Sequence, residues 1–125
     1  MSENLECLKL NKVEQVAVVK FRDGKVMDPS RIEKMGKELL EIVEDEDNAC
    51  LLINFDNVKF FSSAAINKLI VLEKQVRAKG GKLRLCSLRP EVRDLFSYTS
   101  LDQMFEIDQE QVESIEALTD QIPGP

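Results

Sequence analysis

The sequence predicts a single α/β domain, with a mixed, mostly parallel sheet of about four or five strands packed with about four helices. Three observations lead to this fold class. The chain has 125 residues, which is the length of one domain. After an initial pair of strands, short β-rich segments alternate with segments of helical periodicity. Residues 50–55 form a continuous apolar run, as expected of a strand buried on both faces.

The chain opens with two predicted strands, at residues 8–12 and 15–21. The second is rich in β-branched and aromatic residues, which pack well on a pleated surface. A tight turn near residues 12–14 would join them as an antiparallel pair. Asp23-Gly24 marks the next turn.

A first helix is predicted to begin at Asp28-Pro29-Ser30. Ser30 and Glu33 have the spacing of a capping box, in which each side chain bonds the other residue's backbone N–H. The acidic run at residues 44–47 ends the helix. Its apolar face carries Ile32, Met35, Leu39 and Val43.

Residues 50–55 are predicted to be the central strand of the sheet, because the run is apolar apart from Asn54 and too short for a helix. A second helix follows over residues 62–79. Ser62 is a good N-cap, and Gly80-Gly81 is a strong stop signal. The core side of this helix carries Ala65, Ile66, Leu69, Leu72 and Val76.

The remaining elements are two short strands and two helices. Strands are predicted at residues 82–86 and 105–107, and a short helix begins at Pro90. Asp108 and Gln111 are expected to cap a last helix. That helix would pack through Val112, Ile115 and Leu118. The single domain spans residues 1–125, with its core at about 8–120 and loose ends at 1–5 and 122–125.

Composition excludes several classes of function. The formal charge of −6 argues against binding nucleic acid through bulk charge, and no apolar run is long enough to span a membrane. The chain has no His, and its three Cys have no CxxC spacing. We therefore expect no catalytic residue, metal or cofactor. The acidic N-terminus is not a signal peptide, so the expected location is a reducing cytoplasm, with Cys50 and Cys86 as buried apolar residues.

Charge is distributed unevenly along the chain. Residues 94–125 carry 8 acidic and no basic groups, whereas residues 68–93 carry eight basic groups against two acidic ones. One interpretation is a solvated surface followed by an acidic closing helix. The other is a basic face that meets an acidic protein partner.

The carboxyl edge of the parallel strands is where an α/β fold places ligands. Asp56 follows the central strand, but a phosphoacceptor aspartate needs an acidic pair to hold magnesium, and only Asp23 is nearby. Asp56 is thus better interpreted as a turn residue. Ser63 lies one residue inside the second helix, where an N-cap is not needed. Its hydroxyl has no base beside it, so it is a poor nucleophile but a good phosphate acceptor.

The face of the second helix opposite its core side forms a flat stripe, which we call the docking stripe. It borders Ser63 and is half apolar, which is compatible with either a tolerated surface or a protein interface. Its predicted partner-binding residues are Ser62, Ala64, Asn67, Lys68, Val71 and Gln75.

The segment from Ile53 to Ile66, followed by Gly80-Gly81-Lys82-Leu83-Arg84-Leu85-Cys86 and Pro90-Glu91-Val92, resembles the STAS domain of bacterial anti-sigma factor antagonists. The resemblance covers residues 8 to 120. In the family's helix-start motif, Ser63 takes the position of the phosphoacceptor serine, with Ser62 as the alternate acceptor. Ser62 and Ala65 stand where the family typically has aspartate and glycine.

The resemblance implies a regulatory binding module without enzymatic activity. Its partners would be an anti-sigma factor that is also a serine kinase, and a phosphatase that resets the cycle. Binding would release a sigma factor, and phosphorylation at Ser63 would end the complex. Two alternatives remain: a STAS scaffold that works by assembly without phosphorylation, and a small enzymatic or nucleotide-binding α/β domain. The absence of a P-loop and of GxGxxG argues against the last.

Overall fold

The computed structural model describes residues 5–120, which form one five-stranded mixed sheet with helices on both faces. The strands are β1 (Leu8–Val13), β2 (Val16–Phe21), β3 (Lys25–Val26), β4 (Cys50–Asn54), β5 (Phe60–Phe61), β6 (Lys82–Cys86) and β7 (Glu106–Asp108). The order across the five-stranded sheet is β1-β2-β4-β6-β7, and β3 and β5 form a separate two-stranded sheet. The helices are α1 (Pro29–Glu44), α2 (Ser63–Ala78), α3 (Pro90–Tyr98) and α4 (Gln111–Thr119).

The predicted α/β class and the position of the central strand are confirmed. β4 lies in the middle of the sheet, parallel to β2 on one side and to β6 on the other. The antiparallel element is the first pair, β1 and β2. Glu14 and Gln15 form their turn with φ of 49° and 73°, and two successive positive φ values suit the right-handed twist of a hairpin.

Each face of the sheet carries its own apolar cluster. Leu51 and Ile53 of β4 point to the face covered by α1, α2 and α3. Leu52 points to the opposite face, where Ile115 and Leu118 of α4 cover it. This division follows from the period-2 alternation of side chains in a strand. Both faces are covered, which explains why the β4 sequence shows no polar alternation.

The capping predictions for α1 and α4 were wrong in detail. Asp28 caps α1 by accepting a hydrogen bond from the Arg31 N–H at 3.0 Å, so Ser30 lies inside the helix and forms no capping box with Glu33. The Asp28 carboxylate accepts a hydrogen bond from a backbone N–H of the first turn that has no partner within the helix. Pro29 occupies position N1, where no backbone N–H is needed.

Helix α4 is capped by Glu110, not by Asp108 or Gln111. Glu110 and Glu113 form a reciprocal capping box. Asp108 instead ends β7, where it accepts two hydrogen bonds from Arg84 at 2.7 and 3.0 Å. Helix α4 packs through Ile115 and Leu118, whereas Val112 is 64% exposed, which contradicts its predicted place in the core.

The chain ends and the cysteines differ in part from the sequence-based expectations. Residues 1–4 and 122–125 of the predicted loose ends lie outside the described residues, whereas Leu5 is buried in the main core. Cys86 is buried as expected, and Cys50 is only half-buried. Cys7 is also buried, and burial raises the pKa of its thiol.

Candidate functional site

The start of α2 is held in place by backbone and side-chain hydrogen bonds of Ser62. Its backbone N–H donates to the Val26 carbonyl at 3.1 Å, which continues the pairing of β5 with β3. Its hydroxyl accepts from the Ala65 N–H at 3.2 Å, and its extended backbone (φ −85°, ψ 163°) is that of an N-cap. The predicted cap is confirmed, so one lone pair of the Ser62 hydroxyl is already used within the fold.

A cluster of aromatic rings beneath the site fixes its position relative to the sheet. Phe61 is buried, with its ring centroid 5.6 Å from that of Phe21 and 5.3 Å from that of Phe55. Both contacts are edge-to-face, the geometry that aromatic rings prefer. The residue before the Ser62 cap is therefore anchored in the core, and the first turn of α2 starts from a rigid base.

Ser63 occupies the first position of α2 and is exposed. Within residues 5–120 its hydroxyl has no hydrogen-bond partner, unlike that of Ser62. It lies at the amino end of a sixteen-residue helix, where unpaired N–H groups and the helix dipole favour negative charge. The position thus combines access for another protein with an electrostatic environment that tolerates a phosphate.

Most of the docking stripe lies where the helical periodicity predicts. Ala64, Asn67, Val71 and Gln75 are exposed along one side of α2, and Val71 is 50% exposed. An apolar side chain at this exposure leaves surface that a partner could cover.

Lys68 differs from the other residues of the stripe. Its side chain is 29% exposed and its ammonium pairs with Glu33 of α1. The hydrogen bond from this lysine lowers the pKa of the Glu33 carboxyl. The lysine stem crosses Gly36, where an added Cβ would come within 2.8 Å of it. Lys68 thus lies in the seam between α1 and α2.

The two-stranded sheet that borders the site was not predicted from the sequence. β3 pairs with β5 in parallel, with Lys25 opposite Phe60. Phe60 is 47% exposed and Met27, which follows β3, is 55% exposed, so two large apolar side chains flank the start of α2. A strand of two residues is too short to show periodicity in the sequence. The one available signal was the apolar character of Phe60 and Met27.

Asp56 and Asp23 are both engaged with cations of the fold. Asp56 pairs with Lys20 at 3.2 Å and Asp23 pairs with Arg31 at 2.9 Å. These pairs fit the role of turn residues and leave no paired carboxylates for magnesium. Among residues 5–120 no three His, Cys, Asp or Glu side chains come together as a possible metal site, and no helix is long and apolar enough to cross a bilayer.

A surface cavity with a volume of about 330 Å³ lies away from Ser63, between the carboxyl end of α1 and the carboxyl end of α2. Lys79 crosses its wall and donates to the Val43 and Glu44 carbonyls at 3.1 and 3.2 Å. These bonds satisfy carbonyl groups left over at the end of α1. This cavity is explained by helix capping and has no relation to the serine site.

Comparison with known proteins connects this geometry to one family. The profile of the family described as "STAS domain" matches residues 9–114. A curated protein from Bordetella bronchiseptica, named as a candidate anti-sigma factor antagonist, BtrV, is 27% identical over 82 residues. That match covers 66% of this chain and 70% of BtrV.

Solved structures share the fold. An anti-sigma-factor antagonist (STAS) domain protein from Planctomyces limnophilus superposes with a TM-score of 0.79 at 21% identity, covering 89% of this chain and 97% of that one. The Bacillus cell fate determinant SpoIIAA in its phosphorylated form superposes with a TM-score of 0.67 at 16% identity, covering 88% and 97%. At these sequence identities the solved structures show only that the fold is shared. The assignment of the chain to a family depends on the match of its sequence to the STAS domain profile.

Proposed function

Because the chain belongs to the STAS domain family, we propose that it is an anti-sigma factor antagonist that binds an anti-sigma factor with serine kinase activity. Binding releases a sigma factor in the cytoplasm, and phosphorylation of Ser63 ends the complex. A phosphatase then restores the binding state. The chain itself acts by binding and not by catalysis. The names of BtrV and of the similar solved structures support this role.

The observation that carries the proposal is the difference between two adjacent serines. The Ser62 hydroxyl accepts a hydrogen bond from the Ala65 N–H, whereas the Ser63 hydroxyl is exposed and has no hydrogen-bond partner among residues 5–120. A kinase active site must surround the accepting hydroxyl, so the exposed serine is the better acceptor. SpoIIAA, which shares the fold, is known in a phosphorylated form.

Phosphorylation at Ser63 would change the surface and leave the fold intact. A phosphate adds a charge of roughly −1.5 to −2, and the amino end of α2 tolerates it in the free protein. A partner lying on Ala64, Asn67 and Val71 would have to desolvate that charge. This costs several kcal/mol unless the partner supplies a cation, and each ~1.4 kcal/mol weakens binding about tenfold.

Two departures from the family motif bear on this switch. Ser62 replaces the typical aspartate and caps the helix as an aspartate would. Ala65 replaces the typical glycine and is fully buried, so its methyl group is accommodated in the core. The fold therefore absorbs both changes. Only the negative charge that an aspartate would present to a kinase is lost.

The experiment is a labelling reaction with the cognate anti-sigma factor kinase and ATP, followed by mapping of the modified residue. The wild type and Ser62→Ala should be labelled, and Ser63→Ala should bind the kinase without being labelled. Label on Ser63→Ala but not on Ser62→Ala would move the acceptor to Ser62. Stable binding without label on either serine would favour the phosphorylation-independent scaffold.

A further inference from the structure

The loops beside Ser63 carry positive charge that the fold leaves uncompensated. The loops at residues 22–28, 55–62 and 87–89 hold four basic and three acidic side chains. The three carboxylates are all engaged: Asp23 with Arg31, Asp56 with Lys20, and Asp28 with the first turn of α1. The cations are not balanced in the same way.

Lys25, Lys59 and Arg89, here called the basic rim, are exposed and have no carboxylate partner among residues 5–120. Short contacts join their loops into one surface. The Lys59 N–H donates to the Gly24 carbonyl at 2.8 Å, and the Arg89 Nε donates to the Asp56 carbonyl at 3.1 Å. The three cations thus surround the same edge of the sheet from which α2 begins.

Apolar surface is interleaved with this charge. The Lys25 ammonium lies 5.6 Å from the centroid of the Phe60 ring, and that ring is half exposed. Met27, on the next exposed position, extends the apolar area. Exposed aromatic and methionine side chains with cations at their border are typical of the centre and rim of a protein–protein interface.

The basic segment at residues 68–93 does not supply an equivalent surface. Four of its eight cations have partners within the chain, and a fifth, Arg89, already belongs to the basic rim. Lys68 pairs with Glu33, Arg77 with Glu73 and Arg84 with Asp108, and Lys79 caps α1. The surface charge that remains available beside the candidate site lies in the loops.

We infer that the basic rim, together with Phe60 and Met27, docks an acidic protein surface that carries apolar side chains. This inference rests on the proposed function and names the chemistry of the partner's surface facing Ser63. The occupant is a protein because the chain as a whole carries −6, which opposes binding to the uniform negative charge of nucleic acid or an anionic bilayer. A local acidic patch on a protein can face the rim without approaching the acidic remainder of the chain.

If the basic rim binds an acidic partner, a phosphate on Ser63 would weaken that binding in a second way. A phosphate on Ser63 would add negative charge beside the basic rim, where an acidic partner must approach. Desolvation and like-charge repulsion would then act together against the complex. Added salt screens the repulsion between exposed charges, so this contribution to the switch should be largest at low ionic strength.

Two matched charge reversals test the rim. Lys25→Glu with Lys59→Glu alters it, and Lys12→Glu with Lys82→Glu alters two exposed lysines at the opposite end of the sheet, near the β1–β2 turn and at the start of β6. Each pair changes the formal charge from −6 to −10, so general electrostatic effects are equal. Binding to the purified anti-sigma factor kinase should fall about tenfold or more for the rim pair and stay within about twofold for the control pair. Equal losses for both pairs would overturn the inference.

A second arm separates this inference from the proposed function. A display library of random peptides is selected on the wild-type protein, without any anti-sigma factor. Enriched peptides should combine Asp or Glu with apolar residues, bind the control pair and lose binding to the rim pair. Absence of enrichment, enrichment of neutral or basic peptides, or equal binding to both pairs would overturn the inference. Binding of phosphatidylserine vesicles or duplex DNA through the same lysines would overturn the choice of a protein as occupant. If the kinase does not bind the wild type but acidic peptides behave as expected, the proposed function fails and the inference stands.

Discussion

Replacing Ser62 and Ser63 one at a time by alanine should separate a structural serine from a regulatory one. The Ser62 hydroxyl accepts the Ala65 N–H at 3.2 Å, so Ser62→Ala removes a side-chain cap and leaves that donor to water. Losing such a cap costs about 1 kcal/mol. Ser63→Ala removes an exposed hydroxyl at a helical position, where alanine is the better helix former, so stability should stay within about 0.5 kcal/mol of the wild type or rise slightly.

Urea unfolding followed by circular dichroism measures the difference. With a urea dependence of about 2 kcal/mol per molar for a domain of this size, Ser62→Ala should lower the midpoint by about 0.5 M. Its melting temperature should fall by about 3–5 °C. Ser62→Asp is the matched control, because aspartate caps as well as serine and should restore the midpoint. The reasoning would be refuted if Ser63→Ala destabilised the protein as much as Ser62→Ala.

Three further predictions concern the docking stripe and α4. Val71→Glu should weaken binding to the anti-sigma factor kinase by more than about tenfold with an unchanged melting temperature, because Val71 is 50% exposed; calorimetric titration checks it, and unchanged affinity would contradict the stripe. Leu118→Ala should cost about 2–4 kcal/mol and Val112→Ala less than about 0.5, since Leu118 is fully buried and Val112 is exposed; equal unfolding midpoints would contradict the observed orientation of α4. Asp108→Asn should cost about 2 kcal/mol because Arg84 loses its closer carboxylate partner and keeps only Glu106 at 3.9 Å, and its chemical unfolding at neutral pH measures this cost. The hydrogen bond from Arg84 lowers the pKa of Asp108, so the contribution of this carboxyl is complete above its ordinary pKa of about 4 and is lost as pH falls through the lowered value; an Asp108→Asn penalty that persists in full at pH 2 would contradict this.

The sequence predicted the parts of the fold that depend on continuous patterns. In a sheet with helices on both faces, the apolar run that ends at Phe55 is buried on both sides only as a central strand, and it forms that strand. The sixteen residues of α2 combine a serine cap, a 3.6-residue apolar period and a Gly-Gly stop, so its bounds were predicted to within one residue.

The features that were missed depend on contacts between distant residues. Strands β3 and β5 have two residues each and form only because Lys25 and Phe60 meet across about a quarter of the chain. Val112 has the apolar type and spacing of a core residue, but α4 meets the sheet through Ile115 and Leu118 and leaves Val112 exposed. The lysines that remain without a partner could not be predicted from the sequence either. Which lysines are neutralised within the fold depends on pairs of distant residues, such as Lys68 with Glu33.

The most direct test of the central claim is the affinity of the protein for its anti-sigma factor kinase before and after phosphorylation. Isothermal titration with the unmodified protein, and then with protein phosphorylated to completion on Ser63, gives both dissociation constants. The account predicts measurable binding of the unmodified form and a loss of at least about a hundredfold, or ~2.7 kcal/mol, on phosphorylation. Equal affinities for the two forms, with Ser63 shown by mass spectrometry to carry the phosphate, would contradict it.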